Sequence, residues 1–263
     1  MKSTKNSDSI DNISVEKEPS KYSKYGNYMI DEKLELFFPK TTVLILRSND
    51  GKFLYKRTNS ENEIIQKIIA TNSKSFEIQV VPLLPLHLPS YKTDYLFLRF
   101  SDQIFISKNC STEIHLPFPV EIGIFTTIDS IDLIDFFTCE SFHSHFGLYG
   151  PPEEGKLCKY AKIPVQYNKD EPFVYAQMKV KVLNELERGI SLGRIVLPAT
   201  DLDLYYNDKS AIVDNLKLIL KNRGGLEIAE IAPDRVMSSK GWAKSPRDIE
   251  KTNFTFAMEK GFD

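Results

Sequence analysis

Short runs in which apolar and polar residues alternate dominate this chain of 263 residues. The clearest covers ten positions, where every second residue is apolar: Val174, Ala176, Met178, Val180 and Val182. Side chains of a β-strand point alternately to the two faces of its sheet, so this period predicts a strand with one buried face. Similar runs follow along the second half, separated by turn residues. That rhythm is typical of a sandwich or a barrel.

Residues 33–57 carry the sharpest local signal. Two β-rich runs flank Asn49-Asp50-Gly51. An Asp-Gly pair between such runs is typical of a hairpin, because glycine adopts the positive φ angle that tight turns require. We expect strands at 33–38, 42–48 and 52–57.

Two segments break the β pattern and predict short helices. Ser60 and Glu63 have the spacing of a capping box, and the isoleucines that follow recur at helical spacing. This favours a helix at 61–71, although β-branched isoleucine also suits a strand. A second short helix is predicted to begin at Ser130, with apolar residues along one side.

The predicted fold is mainly β: two β-sandwich or barrel-like units packed together, with one or two short helices. Residues 1–24 contain almost no apolar side chains, which predicts a disordered tail. The polar cluster at 168–172 predicts the boundary between an N-terminal β domain, 25–168, and a C-terminal β domain, 169–263. The chain has no Gly-rich phosphate loop and no alternation of strands with helices, which argues against a nucleotide-binding α/β fold.

Charge and cysteine content narrow the function classes. The net charge of −2 disfavours nucleic acid as a partner, because a nucleic-acid-binding domain is expected to be basic. No apolar run approaches the ~18 residues that suggest a membrane span. Three cysteines without regular spacing argue against a disulfide framework and for a reducing compartment. We therefore expect a soluble cytoplasmic protein.

The stretch from residue 139 to 164 contains the leading candidate for a binding site. Its GPPEEG loop is stiffened by Pro151 and Pro152, and Gly150 allows a positive φ angle at its start. Tyr149 and Tyr160 flank the loop. The segment is either a contact for a ligand or partner, or a well-defined hairpin connection, and both interpretations stay open.

The same stretch contains the candidate metal ligands Cys139, His143, His145 and Cys158. Thiolate and imidazole groups suffice for tetrahedral zinc. The spacing C-x3-H-x-H-x12-C matches no common zinc module, so surface histidines and packed cysteines are the leading interpretation. No cofactor is predicted, and zinc belongs to the alternative.

A basic segment near the C-terminus is a candidate anion site. Lys240, Lys244 and Arg247 surround Trp242, the only tryptophan. Cations interleaved with an aromatic side chain can hold nucleic acid or an anionic headgroup. Acidic residues in the same segment dilute its charge, which favours a solvated loop.

Several motifs together resemble a known family. They are YGNY at 25–28, the proline-rich PLLPLHLP at 82–89, LPFPVEIGIF at 116–125, LYGPPEEG at 148–155 and FTFAMEKGF at 254–262. Over residues 25–263 the chain resembles an archaeal family of proteins of unknown function, domain of unknown function 432. The resemblance implies an archaeal cytoplasmic protein. It brings no activity, cofactor or catalytic residue.

The pattern as a whole indicates a non-enzymatic binding or protein-interaction module, whose partner is an unknown protein or small molecule. The basis is that no catalytic constellation is complete. The alternative is a metal-dependent enzyme with a Cys/His site around residues 139–158.

Overall fold

The computed structural model describes residues 22–88, 91–127, 131–139, 145–165, 171, 173–236 and 241–246. In these ranges the chain forms nineteen strands and one 3₁₀ turn, Ala199–Asp201. The first ten strands are β1 (Gly26–Ile30), β2 (Lys33–Phe38), β3 (Thr41–Arg47), β4 (Phe53–Asn59), β5 (Ile64–Ile69), β6 (Phe76–Leu83), β7 (Tyr95–Ile106), β8 (Ser111–Pro119), β9 (Glu121–Thr126) and β10 (Asp132–Phe137). The others are β11 (Phe146–Tyr149), β12 (Lys156–Ile163), β13 (Tyr175–Asn184), β14 (Ile190–Pro198), β15 (Leu204–Tyr206), β16 (Ala211–Val213), β17 (Asn215–Arg223), β18 (Leu226–Asp234) and β19 (Ala243–Lys244). The prediction of a mainly β protein is confirmed.

The strands form four sheets. Sheet A has the order β1-β6-β9-β10, and sheet B the order β2-β3-β4-β5. Sheet C has the order β11-β12-β7-β14, with β12 and β7 parallel. Sheet D has the order β18-β17-β13-β16-β15-β19, and β8 pairs with β13. The predicted hairpin around Gly51 is confirmed, since β3 and β4 pair from Thr41↔Asn59 to Arg47↔Phe53.

Both predicted helices are wrong. The first segment is β5, the edge strand of sheet B. Ser60 does not start a helix because Asn59 organises a turn instead: its Oδ1 accepts hydrogen bonds from the backbone N–H groups of Glu61 (3.0 Å) and Glu63 (2.9 Å). The second segment is β10, which pairs with β9, and Ser130 lies outside the described residues.

Hydrogen-bonded ladders cross the predicted boundary at residue 168. β8 pairs with β13 over nine residue pairs, from Ser111↔Leu183 to Pro119↔Tyr175. β7 pairs with β14 in the same way. The predicted units 25–168 and 169–263 therefore share sheets C and D. Residues 1–21 of the predicted tail lie outside the described residues.

Aromatic side chains join three of the sheets into one core. The ring of Phe38, on β2, lies 5.4 Å from that of Phe137 on β10 and 5.2 Å from that of Phe173. Tyr25 continues the cluster, 4.7 Å from Phe173 and 5.7 Å from Tyr206 on β15. The pairs other than Tyr25–Phe173 are edge-to-face, and such pairs contribute roughly 0.5–1.5 kcal/mol each beyond the buried area.

Candidate functional site

The hairpin β11–β12 carries the predicted binding loop. Gly150 has a φ angle of +110°, which glycine adopts without strain. Gly155 is closely packed: a Cβ atom there would lie 2.8 Å from Cγ of Leu148 and 2.8 Å from the carbonyl oxygen of Pro151. Pro151 and Pro152 are exposed at the tip. The loop is therefore tightly constrained at its base and open to solvent at its end.

Tyr149 and Tyr160 lie on one side of sheet C, which we call its outer face. They flank Phe97 of β7, whose ring centroid is 6.0 Å from that of Tyr149 and 5.5 Å from that of Tyr160. Phe97 is covered by them, whereas Tyr149 remains 43% exposed. The opposite side of the sheet packs into the core through Leu96 and Leu98. Two of the predicted binding residues thus share one accessible surface.

Three cations cross the outer face in a row. Arg99 of β7 lies opposite Arg194 of β14 in the antiparallel ladder, and beside Lys162 of β12 in the parallel ladder. All three side chains are exposed. Residues directly opposite one another in an antiparallel ladder have Cβ atoms about 4.5–5.5 Å apart. The row therefore concentrates three positive charges on a small area.

Among the described residues, no acid neutralises this cation row: none of the three forms an ion pair there. The exposed Arg188 shows the contrast, since its guanidinium pairs with Glu227. Arg194 lies over the ring of Tyr149, with Cζ 5.7 Å from the centroid. Like charges directly opposite one another destabilise a sheet, so this arrangement opposes folding and leaves the cations available to an anion.

A groove of about 730 Å³ adjoins a bulge in sheet C, and Leu218, Ala229 and Ile231 of sheet D also line it. The register of β7 and β14 shifts just before Arg194, so that residues 100–103 stand outside this ladder. Ser101, Gln103 and Ser191 line the groove together with the cation row. The amide of Gln103 and the hydroxyl of Ser191 add hydrogen-bond donors beside the charges, whereas the hydroxyl of Ser101 donates to Asp102.

A second cavity, of about 600 Å³, is lined by residues from all four sheets, and we call it the inner cleft. Sheet B contributes Arg57, sheet A contributes Glu121 and Phe136, sheet C contributes Lys159 and sheet D contributes Pro119. Charged side chains from three sheets therefore converge on one cleft.

Glu121 is a buried carboxylate, 1% exposed, with several donors. It accepts hydrogen bonds from the backbone N–H groups of His87 (3.1 Å) and Leu88 (3.0 Å) and from Nδ1 of His87 (2.8 Å). These bonds hold the proline-rich crossing against sheet A, and Leu83 within it is buried. Burial of a carboxylate is tolerated only with such partners.

Lys159 is a buried cation, 5% exposed. It stands at the same phase of β12 as the buried Ala161, so it points to the interior side of sheet C. Its Nζ donates a hydrogen bond to the carbonyl oxygen of Leu88 and lies 5.4 Å from the ring centroid of Phe146. Burial lowers the pKa of Lys159, an effect that the negative charge of Glu121 opposes.

Asp135 is a second buried carboxylate, which links sheet A to sheet B. It accepts hydrogen bonds from Oη of Tyr55 (2.7 Å) and Nε of Arg57 (2.6 Å), and Nζ of Lys67 lies 3.7 Å away. Burial, reinforced by the charge of Asp135, raises the pKa of Tyr55 well above its ordinary value. The phenol therefore stays protonated and acts as a donor.

The structure places two of the predicted metal ligands on one cavity and a third elsewhere. Cys139 and His145 line the inner cleft. Cys158 is buried on the other side of β12 from its neighbour Lys159, and burial raises the pKa of its thiol. His143 lies outside the described residues. Within the described ranges, no group of three His, Cys, Asp or Glu side chains could hold a metal ion.

The basic segment near the C-terminus is described in part. Lys240 and Arg247 lie outside the described residues, and Trp242 is half-buried. Nζ of Lys244 forms an ion pair with Oδ1 of Asp203 at 2.8 Å. An anion would have to compete with this carboxylate, so anion binding at the segment stays a prediction.

Sequence analysis did not identify the cation row or the charged residues of the inner cleft. The row consists of residues from three strands that are distant in sequence. Lys159 did leave a signal, since it is a charge at an apolar phase of a strand.

The comparisons with known proteins return one family. The model of the family described as "Protein of unknown function (DUF432)" matches residues 24–259. No curated protein and no solved structure matches the chain. Across the residues that the structure describes, no helix has the length and apolarity to cross a membrane.

Proposed function

The chain belongs to the DUF432 family of proteins of unknown function, and we propose, from the surface of sheet C, that it is a non-enzymatic protein-interaction module. Its binding surface is the outer face of sheet C together with the hairpin β11–β12. The partner is a protein segment that carries acidic and apolar side chains.

The observation that carries this proposal is the cation row. Arg99, Lys162 and Arg194 stand side by side without an ion pair in the described part of the chain. Their mutual repulsion weakens the sheet, and an acidic partner would remove it. Arginine also binds carboxylates through two parallel hydrogen bonds, which gives orientation as well as attraction.

The aromatic and apolar groups around the row favour a protein partner. Tyrosine and arginine are enriched among the residues that dominate binding energy in protein interfaces. Tyr149 is 43% exposed, and on the other side of the same hairpin Leu148 is 52% and Leu157 45% exposed. The hairpin thus presents apolar surface on both sides, beside a positively charged groove.

A cytoplasmic setting is part of the proposal. The three cysteines of the chain, Cys110, Cys139 and Cys158, form no disulfide bond, which supports a reducing compartment. The archaeal origin implied by the family resemblance stays a prediction.

The test measures binding of a fluorescein-labelled copolymer of Glu and Tyr by fluorescence anisotropy. The variant replaces Arg99, Lys162 and Arg194 by Gln. The matched control replaces three exposed lysines of sheet D and its adjoining turn, which changes the net charge equally: Lys181, Lys209 and Lys217. Labelled oligothymidine serves as a nucleic-acid comparator.

We expect the copolymer to bind the natural protein and the control, and to bind the outer-face variant at least ~10-fold more weakly. Affinity should fall as salt rises. An equal loss in both triple variants, or no binding at low salt, would overturn the proposal. Tighter binding of oligothymidine that depends on the cation row would replace the protein partner with a nucleic acid.

A further inference from the structure

Lys159 presents to the inner cleft hydrogen-bond donors that no described residue accepts. An ammonium group has three N–H donors, and the carbonyl oxygen of Leu88 accepts one of them. Glu121, the acid whose charge acts on Lys159, already accepts bonds from His87 and Leu88. In the described part of the chain it forms no ion pair with Lys159. Among the described residues, therefore, two donors of this almost fully buried ammonium have no acceptor.

Arg57 presents a second set of donors to the same cleft. Its Nε is bound to Asp135 at 2.6 Å, and its side chain is only 15% exposed. A guanidinium has five N–H donors, and its terminal nitrogens form no hydrogen bond with any described residue. No fully buried side-chain nitrogen or oxygen among those residues lacks a partner, so these nitrogens are accessible from the cleft. Two cations from two different sheets, incompletely satisfied by the described residues, thus line the cleft, and the exposed Glu61 and Glu63 line it as well.

The size and walls of the cleft indicate the class of ligand. Its volume of about 600 Å³ lies within the ~300–1,000 Å³ of small-molecule sites. Leu96, Phe136 and Ala161 supply apolar surface between the cations. We propose that the inner cleft binds a small organic oxyanion, in which a carboxylate or phosphate group contacts Lys159 and Arg57 and an apolar body packs on these walls.

The energetics of a buried charge support this assignment. An ammonium group removed from water without a full set of partners destabilises the folded state. A hydrophobic side chain of similar volume at position 159 would avoid that penalty. A ligand oxyanion would accept hydrogen bonds from these donors, and hydrogen bonds between charged groups are about twice as strong as those between neutral groups.

The test is a calorimetric titration of the full-length protein with phenyl phosphate and with benzoate, which represent the two oxyanion types. Benzyl alcohol has the same ring without the charge. The variant is Lys159→Met, which keeps the length of the side chain and removes the ammonium. The control is Lys181→Met on β13, whose side chain is exposed and does not line the cleft.

We expect at least one of the two anions to bind with 1:1 stoichiometry to the natural protein and to Lys181→Met. The affinity of Lys159→Met should be lower by on the order of 10- to 100-fold, the value of one charge-assisted hydrogen bond. The proposal is overturned if neither anion binds at millimolar concentration, if Lys159→Met binds as tightly, or if benzyl alcohol binds as tightly.

A second measurement does not depend on the folding of a variant. Lysine acylation of the natural protein is mapped by peptide mass spectrometry with and without phenyl phosphate or benzoate. The anion that binds should slow acylation of Lys159 and leave Lys181 unchanged, and equal rates at Lys159 would contradict the proposal. The triple variant of the cation row should keep this protection, so the two proposals fail independently.

Discussion

Arg99 lies directly opposite Arg194 across the antiparallel ladder of β7 and β14, with both guanidinium groups on the outer face of sheet C. Lys162 flanks Arg99 on its other side. Arg99 is therefore the centre of the repulsion within the row.

Removing this central charge should stabilise the fold. Arg99→Gln relieves two like-charge contacts, so we expect the free energy of unfolding at low salt to rise by about 0.2–1 kcal/mol. High salt should abolish the gain, because it screens the repulsion in the natural protein. Urea denaturation at two salt concentrations measures both effects. Arg188→Gln, which breaks the pair with Glu227, should give no gain, and a gain there would refute the local explanation.

Loss of the Asp135 charge should strongly destabilise the junction of sheets A and B. Asp135→Asn leaves Arg57 without its carboxylate partner, and removal of one member of a buried pair lowers the free energy of unfolding by about 3–5 kcal/mol. The control Glu113→Gln removes an exposed partner of Lys179 and should change stability by less than ~1 kcal/mol. Similar losses in both variants would show that Asp135 has no special role.

The lowered pKa of Lys159 predicts a pH dependence of definite sign. At pH values between the lowered pKa of Lys159 in the folded protein and the ordinary lysine pKa of about 10.4, residue 159 binds more protons in the unfolded chain than in the folded chain. Its contribution to stability therefore rises with pH in this window and is constant above it. Chemical denaturation measures the free energy of unfolding of the natural protein and of Lys159→Met. The value of the natural protein should rise relative to that of the variant as pH approaches about 10.4. The reverse trend would contradict the burial effect.

Gly123 of β9 should not tolerate a side chain. A Cβ atom there would lie 2.6 Å from a ring carbon of Phe125 and 2.7 Å from Cδ1 of Leu83. Overpacking of this kind lowers stability by about 1–3 kcal/mol. Gly147→Ala is the control, because its Cβ would meet only Tyr160 at an ordinary 3.9 Å. Thermal unfolding of both variants tests the difference. Equal stability of the two would show that Phe125 and Leu83 can move to accommodate a methyl group at position 123.

The cysteines should differ in reactivity. Cys110 is half-exposed, whereas Cys158 is 0% exposed and burial raises the pKa of its thiol. Because the thiolate is the reactive form, iodoacetamide should label Cys110 first in the native protein. Cys158 should react only after denaturation. Peptide mass spectrometry over time gives both rates, and rapid native labelling of Cys158 would contradict its burial.

The hairpin around Gly51 could be predicted because its signal is local. The helix predicted at 61–71 failed for a physical reason: β5 is an edge strand with isoleucines exposed on both faces, such as Ile64 at 53% and Ile65 at 38%. A strand exposed on both faces shows no alternation of apolar and polar residues. The Asn59 side chain also accepts hydrogen bonds from the backbone N–H groups of Glu61 and Glu63, of which the capping box would have used that of Glu63.

The binding surfaces could be predicted only in part. Tyr149 and Tyr160 belong to one hairpin, so their proximity follows from local sequence. Arg99, Lys162 and Arg194 become neighbours only through the pairing of three distant strands, one pair of which is parallel. No local sequence pattern predicts the register of these strands. The positions of the three cations therefore depend on long-range strand pairing.

The position of β7 between β12 and β14 has a consequence for synthesis of the chain. β7 ends at Ile106 and β14 begins at Ile190, an interval that a ribosome covers in roughly 4–17 s at ~5–20 residues per second. During that time, the edge of β7 that pairs with β14 in the folded protein has no partner. Unpaired strand edges are prone to aggregation, so the growing chain is most vulnerable before its last third has emerged.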